Sequence, residues 1–187
     1  MSTSGKMMLG PHTPASELPR LDAVDRAILE ILQRDARCSR AEIGKAINLS
    51  AAAVHERIKK LERSGVVRGY AALLDPEKAQ CDLLAFVQVF IEHPRHEQRF
   101  LDEVAEMAEV QECHRVTGNA TCFLKVRVPD RRSLQLLILD RFNALPGVRG
   151  TETVVVLSTT KESPRIHLPA SAAEMAEGAG GPAGSRG

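Results

Sequence analysis

The feature that most constrains this chain is a short stretch in which one helix must end and another begin. Ser39 stands three residues before Glu42, with Cys38 and Ile43 on either side, which is the spacing of a capping box set inside a hydrophobic staple. A helix starts there. Asn48 tolerates the left-handed conformation that ends a helix, and Ser50, two residues later, is a cap for the next one, with Leu49 and Val54 again placed as a staple. The first of these helices runs only to about Ile47, so the two meet across a tight turn. Ahead of them, Leu21, Val24, Ile28, Ile31 and Leu32 recur at helical spacing opposite Asp22, Asp25, Arg26, Glu30 and Gln33, predicting an amphipathic helix over Leu21 to Arg34. Behind them, Val54, Ile58 and Leu61 form one buried stripe that stops at Gly65. Val66, Val67, Tyr70 and Ala71 then read as a short hairpin wing. Three helices and a wing make a winged helix-turn-helix.

The remainder alternates strand, helix, strand, strand, helix, strand. Leu83, Ala85, Val87, Val89 and Ile91 share one face of a strand, and Phe100, Val104 and Met107 follow Pro94 at helical spacing. Gln111 to Val116 and Cys122 to Val128 flank a turn holding Gly118 and Asn119. Leu134, Leu137, Ile138 and Phe142 mark the second helix, Pro146 and Gly147 end it, and Val148 to Leu157 is the last strand. This order predicts an α+β chain whose C-terminal half is a ferredoxin-like βαββαβ domain, with two helices on one face of an antiparallel sheet. The other face is left open, and an uncovered, partly apolar sheet face tends to find a second copy.

The expected division is a disordered tail over residues 1–19, a DNA-binding domain over 20–70, a linker strand over 71–81, an effector-binding and oligomerisation domain over 82–168, and a second disordered tail over 169–187. The tails rest on composition: Ser/Thr/Gly/Pro at the start, Ala/Gly at the end.

Charge supports a division of labour. The net charge of +1 hides 11 Lys/Arg against 7 Asp/Glu over residues 20–70, and 10 against 13 over residues 71–160. The basic front half suits phosphate. Trp is absent and aromatics make up 3% of the chain, which argues against stacking platforms for single strands, whereas duplex readers do not need them.

In a helix-turn-helix the third helix enters the major groove. With Val54, Ile58 and Leu61 inward, Ala52, Glu56, Lys59, Lys60 and Arg63 face out, flanked by His55 and Arg57. Ala51 and Ala52 let the helix approach base edges, His55 and Arg57 are the expected base readers, and Lys59, Lys60 and Arg63 are spaced for phosphates. Ser39, Arg40 and Ser50, at helix starts, are expected backbone anchors.

The C-terminal half carries no enzyme signature. His93, His96 and His114 lack a metal-ligand spacing, no metal site is expected, and there is no Walker loop, G-x-S-x-G or H-E-x-x-H. Cys38, Cys81, Cys113 and Cys122 form no C-x-x-C and lie in apolar patterns, as buried small hydrophobes in a reducing compartment do. The loop Thr117-Gly118-Asn119-Ala120-Thr121 differs, because a glycine turn exposes backbone N–H groups beside two hydroxyls and an amide, a setting for a small anion or amino acid. No apolar run is long enough to cross a bilayer and the start lacks the apolar block of a signal peptide, so the expected location is the cytoplasm, on the nucleoid.

Several of these residues stand in a familiar order. Leu21-Asp22-x-x-Asp25-x-x-Ile28-Leu29, Leu49-Ser50, and Arg57-x-x-x-Leu61-Glu62-x-x-Gly65-Val66-Val67-x-Gly69-Tyr70 closely resemble the Lrp/AsnC (feast/famine) family of transcription regulators. So do Val116-Thr117-Gly118, Leu145-Pro146-Gly147-Val148 and Thr151-x-Thr153. The resemblance implies a regulator of double-stranded DNA that assembles as dimers and octamers and answers to an amino acid or other small metabolite, with no cofactor. It implies an effector site between dimers, near the hairpin turn and the last strand, at Gly118, Asn119, Ala120, Thr121, Val154 and Val156. Two departures stand out: the family has an acidic residue and an aromatic where this chain has Thr121 and Cys122, and a glycine near the position of Gln80. Two other readings compete, a siroheme-decarboxylase-like enzyme using His114 and Arg115, and a sensor that binds no DNA itself. Steep loss of DNA affinity with salt separates both from the regulator.

Overall fold

The structure, a computed structural model, describes residues 19–169, so both expected tails lie almost wholly outside the described residues. The described residues form two compact units, and the first is discontinuous: it joins residues 19–71 to residues 163–169, while residues 72–162 make the second.

The first unit holds α1 (Ala23–Arg34), α2 (Arg40–Ile47) and α3 (Ala51–Arg63). Each begins where a side chain takes up an otherwise orphaned backbone N–H. Asp22 and Asp25 form a reciprocal capping box on α1, Ser39 and Glu42 form another on α2, and the Ser50 hydroxyl accepts from the Ala53 N–H on α3. Asn48 ends α2 in the left-handed region at φ 57°. The inward faces meet in a core of Ile28, Leu29, Ile43, Val54, Ile58 and Leu61.

Two stretches after α3 lack the strands expected of them. The stretch after α3 forms no hairpin wing and contains no strand; Val66 and Val67 fold back on the core, and the Tyr70 hydroxyl donates to Glu62 Oε1 at 2.9 Å. The expected linker strand over 71–81 is likewise irregular backbone followed by a turn at Pro76–Gln80, because a lone extended segment finds no partner strand in the chain. The Gln33 side-chain amide bonds both ways with the Ile166 backbone, at 3.1 and 2.7 Å, and Leu168 packs at the edge of the helical core.

The second unit is the expected split βαβ arrangement. Its strands are β1 (Leu83–Ile91), β2 (Val110–Arg115), β3 (Cys122–Val128) and β4 (Val148–Val155), antiparallel in the order β2-β3-β1-β4. One helix, α4 (Glu97–Ala105), follows β1; the other, α5 (Arg131–Leu136), follows β3 and widens into a π-helical turn over Leu137–Phe142. Ala85, Val87 and Val89 of β1, with Cys122, Leu124, Val126 and Val128 of β3, pack with Phe100, Val104, Leu134, Leu137 and Phe142 of the helices. The opposite face carries Phe86 stacked on Phe123 at 5.5 Å and an ionic cluster in which Glu162 takes Lys125 and Arg127 while Glu112 takes His114 and Lys125.

Candidate nucleic-acid interface and effector loop

The angle between α2 and α3 is set by a close backbone approach that sequence inspection did not single out. The Leu49 N–H bonds to the Gly44 carbonyl at 2.8 Å, and a Cβ on Gly44 would lie 2.4 Å from the Leu49 carbonyl oxygen. Only glycine allows that approach. The signal available in the sequence was a glycine inside a short helix, four residues before the left-handed Asn48.

With α3 held in this way, Ala51, Ala52, Glu56, Lys59, Lys60 and Arg63 are exposed along one side, and His55 is half-buried on the flank. The Ser39 and Ser50 hydroxyls accept from the Glu42 and Ala53 N–H groups as helix caps, beside exposed Arg40. Glu42 is held below the usual carboxylate range by the Ser39 side-chain and backbone bonds.

Arg57 is tied into the helical unit. One guanidinium nitrogen, Nη1, donates to Asp22 Oδ2 and Asp25 Oδ1, both at 2.7 Å, pinning α3 to the start of α1. Asp25 is buried, and its carboxylate needs this partner. Burial alone would raise the Asp22 carboxyl, but the Asp25 backbone bond and the Arg57 side chain outweigh it and hold Asp22 below its ordinary value. Reading a base through Nη1 would require breaking this internal tie.

The effector loop follows β2. Gly118 has φ 111°, and a Cβ there would meet nothing within 4 Å, so conformation rather than space calls for glycine. Thr121 is firmly placed: its N–H bonds to the Val89 carbonyl at 2.9 Å, and its hydroxyl accepts from the Ile91 N–H at 3.1 Å. Asn119 is exposed and Ala120 half-buried.

The expected site residues on β4 lie elsewhere on the sheet. Val154 pairs with Phe86 and the Val156 N–H bonds to Leu84, whereas the loop is anchored at Val89 and Ile91. At ~3.3 Å per residue along a strand, Val154 and Val156 sit roughly 10 and 17 Å from the Val89 row. One chain does not bring them to the loop. Val154 instead stands exposed on the open face, and Val156 lines a shallow cavity of about 190 Å³ with Leu84, Arg127, Ser158 and Glu162. Among the described residues no group of three His, Cys, Asp or Glu side chains is arranged to hold a metal ion, and no helix is long and apolar enough to cross a membrane.

Comparison with known proteins bears on both units. Residues 21–68 match a winged helix-turn-helix DNA-binding family, and residues 84–166 match the Lrp/AsnC ligand binding domain. The leucine-responsive regulatory proteins of Klebsiella pneumoniae and Escherichia coli K12 are each 40% identical over 148 residues, 78% of this chain and 90% of theirs. Among solved structures, a Neisseria meningitidis transcriptional regulator in complex with L-Met superposes with a TM-score of 0.75 at 31% identity, covering 79% of this chain and 97% of that one. The Mycobacterium tuberculosis leucine response regulatory protein gives 0.70 at 32% identity, covering 80% and 100%.

Proposed function

Because the chain belongs to the Lrp/AsnC family of transcriptional regulators, we propose that it reads duplex DNA with α3 and adjusts that binding to an amino acid held at the Gly118 loop. It is a DNA-binding regulator rather than an enzyme, working from the cytoplasm on the nucleoid. The observation that carries the reading is the outward side of α3, small at Ala51 and Ala52 and basic at Lys59, Lys60 and Arg63, above a turn that only Gly44 permits. Ala51, Ala52, His55 and Glu56 meet base edges; Ser39, Arg40, Ser50, Lys59, Lys60 and Arg63 meet backbone phosphates.

At the loop, exposed backbone N–H groups, the Thr117 hydroxyl and the Asn119 amide suit the carboxylate end of an amino acid. The L-Met held by the meningococcal neighbour supports that ligand class. The loop itself offers no acidic side chain for an amino group, and the Thr121 hydroxyl is already used on Ile91. Val154 and Val156 belong instead to the face between copies, in dimers through the open sheet face and octamers built from them.

The test is fluorescence anisotropy on the DNA upstream of the chain's own gene, over a salt series, with and without each of the common amino acids. Specific binding whose log K falls by ~0.9 per phosphate neutralised is expected, and Lys60→Ala should reduce that slope by about one contact. Absence of binding at low salt would overturn the reading.

A further inference from the structure

Beneath the effector loop, two thiols face each other across the β2–β3 hairpin. Cys113 pairs in register with Leu124, and Arg115 with Cys122, so Cys113 and Cys122 are diagonal neighbours. Leu124 and Cys122 both point to the helix-covered side, and Cys113, opposite Leu124, shares it. The two thiols are thus neighbours on that side of the hairpin. Their surroundings differ. Cys122 has no exposed surface, whereas Cys113 lies on β2, an outer strand of the sheet, and is half-buried. The neighbouring Cys122 holds the Cys113 thiol below its ordinary value, while Cys113 beside it and burial push the Cys122 thiol up. Cys113 is therefore suited to meet an oxidant first, and Cys122 to attack the oxidised Cys113 sulfur afterwards.

We infer that Cys113 and Cys122 form a reversible oxidation site, with Cys113 the sulfur that meets a peroxide and Cys122 the resolving thiol. In the first step the Cys113 thiolate attacks one oxygen of hydrogen peroxide, forming a sulfenic acid and releasing hydroxide. In the second, the Cys122 sulfur displaces that hydroxyl, its thiol proton leaving with it as water, and the disulfide forms. Two thiols lose two electrons and two protons, and one peroxide becomes two waters. A dithiol reductant reverses the reaction.

The consequence is mechanical. Diagonal partners on antiparallel strands stand ~7–8 Å apart at Cα, whereas a disulfide usually spans ~4.4–6.8 Å. Closing the bond draws β2 towards β3 directly below Val116–Thr121, where the Val116 N–H meets the Thr121 carbonyl at 3.2 Å. A bond formed under that tension is readily reduced, which suits a switch better than a permanent brace.

The experiment treats the purified full chain with hydrogen peroxide and maps its thiols by mass spectrometry. The expected product has lost two hydrogens, joins the tryptic peptides 100–115 and 116–125, and reverts with dithiothreitol. Cys122→Ala, which keeps the core apolar, should instead accumulate a sulfenic acid at Cys113 that dimedone traps, and Cys113→Ser should abolish both products. Circular dichroism matching the unsubstituted chain shows that each variant is folded. Amide exchange over residues 116–121 should slow in the oxidised protein. Four thiols surviving peroxide, a cross-link through Cys38 or Cys81, or dimedone on Cys122 would overturn the assignment, and unchanged exchange would overturn the coupling to the loop.

Discussion

A residue's role in this protein turns on which partner its side chain already holds. Arg57 has the chemistry of a base reader and the location of a helix flank, yet it is occupied by Asp22 and Asp25. Arg57→Ala leaves Asp25, with 2% of its side chain exposed, without its guanidinium, and should cost on the order of 2 kcal/mol in urea unfolding. Lys60→Ala should leave the midpoint unchanged. The tie also responds to acid. Asp22 titrates below its ordinary value in the folded chain, so its stabilisation is complete above about pH 4 and is lost as pH falls through the lower folded value. Asp22→Asn should therefore flatten the fall in stability below that pH, measured by unfolding at stepped pH. Local pattern could not reveal this pairing, because Arg57 and Asp22 are 35 residues apart in the chain. Gln80 is the converse case. It holds φ 58°, a left-handed conformation that costs a side chain about 1 kcal/mol. Gln80→Gly should raise the unfolding free energy by roughly that amount.

Elements were legible wherever their ends are written locally. Ser39, Asn48 and Ser50 marked α2 and α3 to within a residue, and the alternation from Leu83 to Ile91 gave β1 in full. Elements that depend on something distant were not. The wing at Val66–Ala71 and the strand expected over 71–81 have suitable residues but no partner strand in this chain, and strand propensity does not act alone. The π-helical turn at Leu137–Phe142 was invisible for another reason: Leu134, Leu137 and Phe142 all remain buried, so the apolar pattern does not register the change in winding. The α2–α3 turn itself is intolerant. A methyl at Gly44 meets backbone, not a movable side chain, so Gly44→Ala should destabilise the helical unit by about 1–3 kcal/mol and abolish DNA binding. The amide spectrum of residues 83–155 should stay unchanged, which nuclear magnetic resonance would show.

At the scale of the whole molecule, the helical core and the sheet core share no residue. Calorimetry should resolve two transitions, and adding operator DNA should raise only the one belonging to the helical unit, since a ligand stabilises what it binds. A single cooperative transition, or a DNA shift in both, would count against that independence. The helical unit is also completed from far along the chain, by the Gln33 amide on Ile166, 133 residues away, and by Leu168 at the rim of its core. During synthesis its three helices leave the ribosome first, but the segment that seals them emerges only after the entire sheet domain has been made. The part that reads DNA is thus the first to be started and the last to be finished, and a half-made chain carries an unsealed DNA-binding core throughout translation of its sensor.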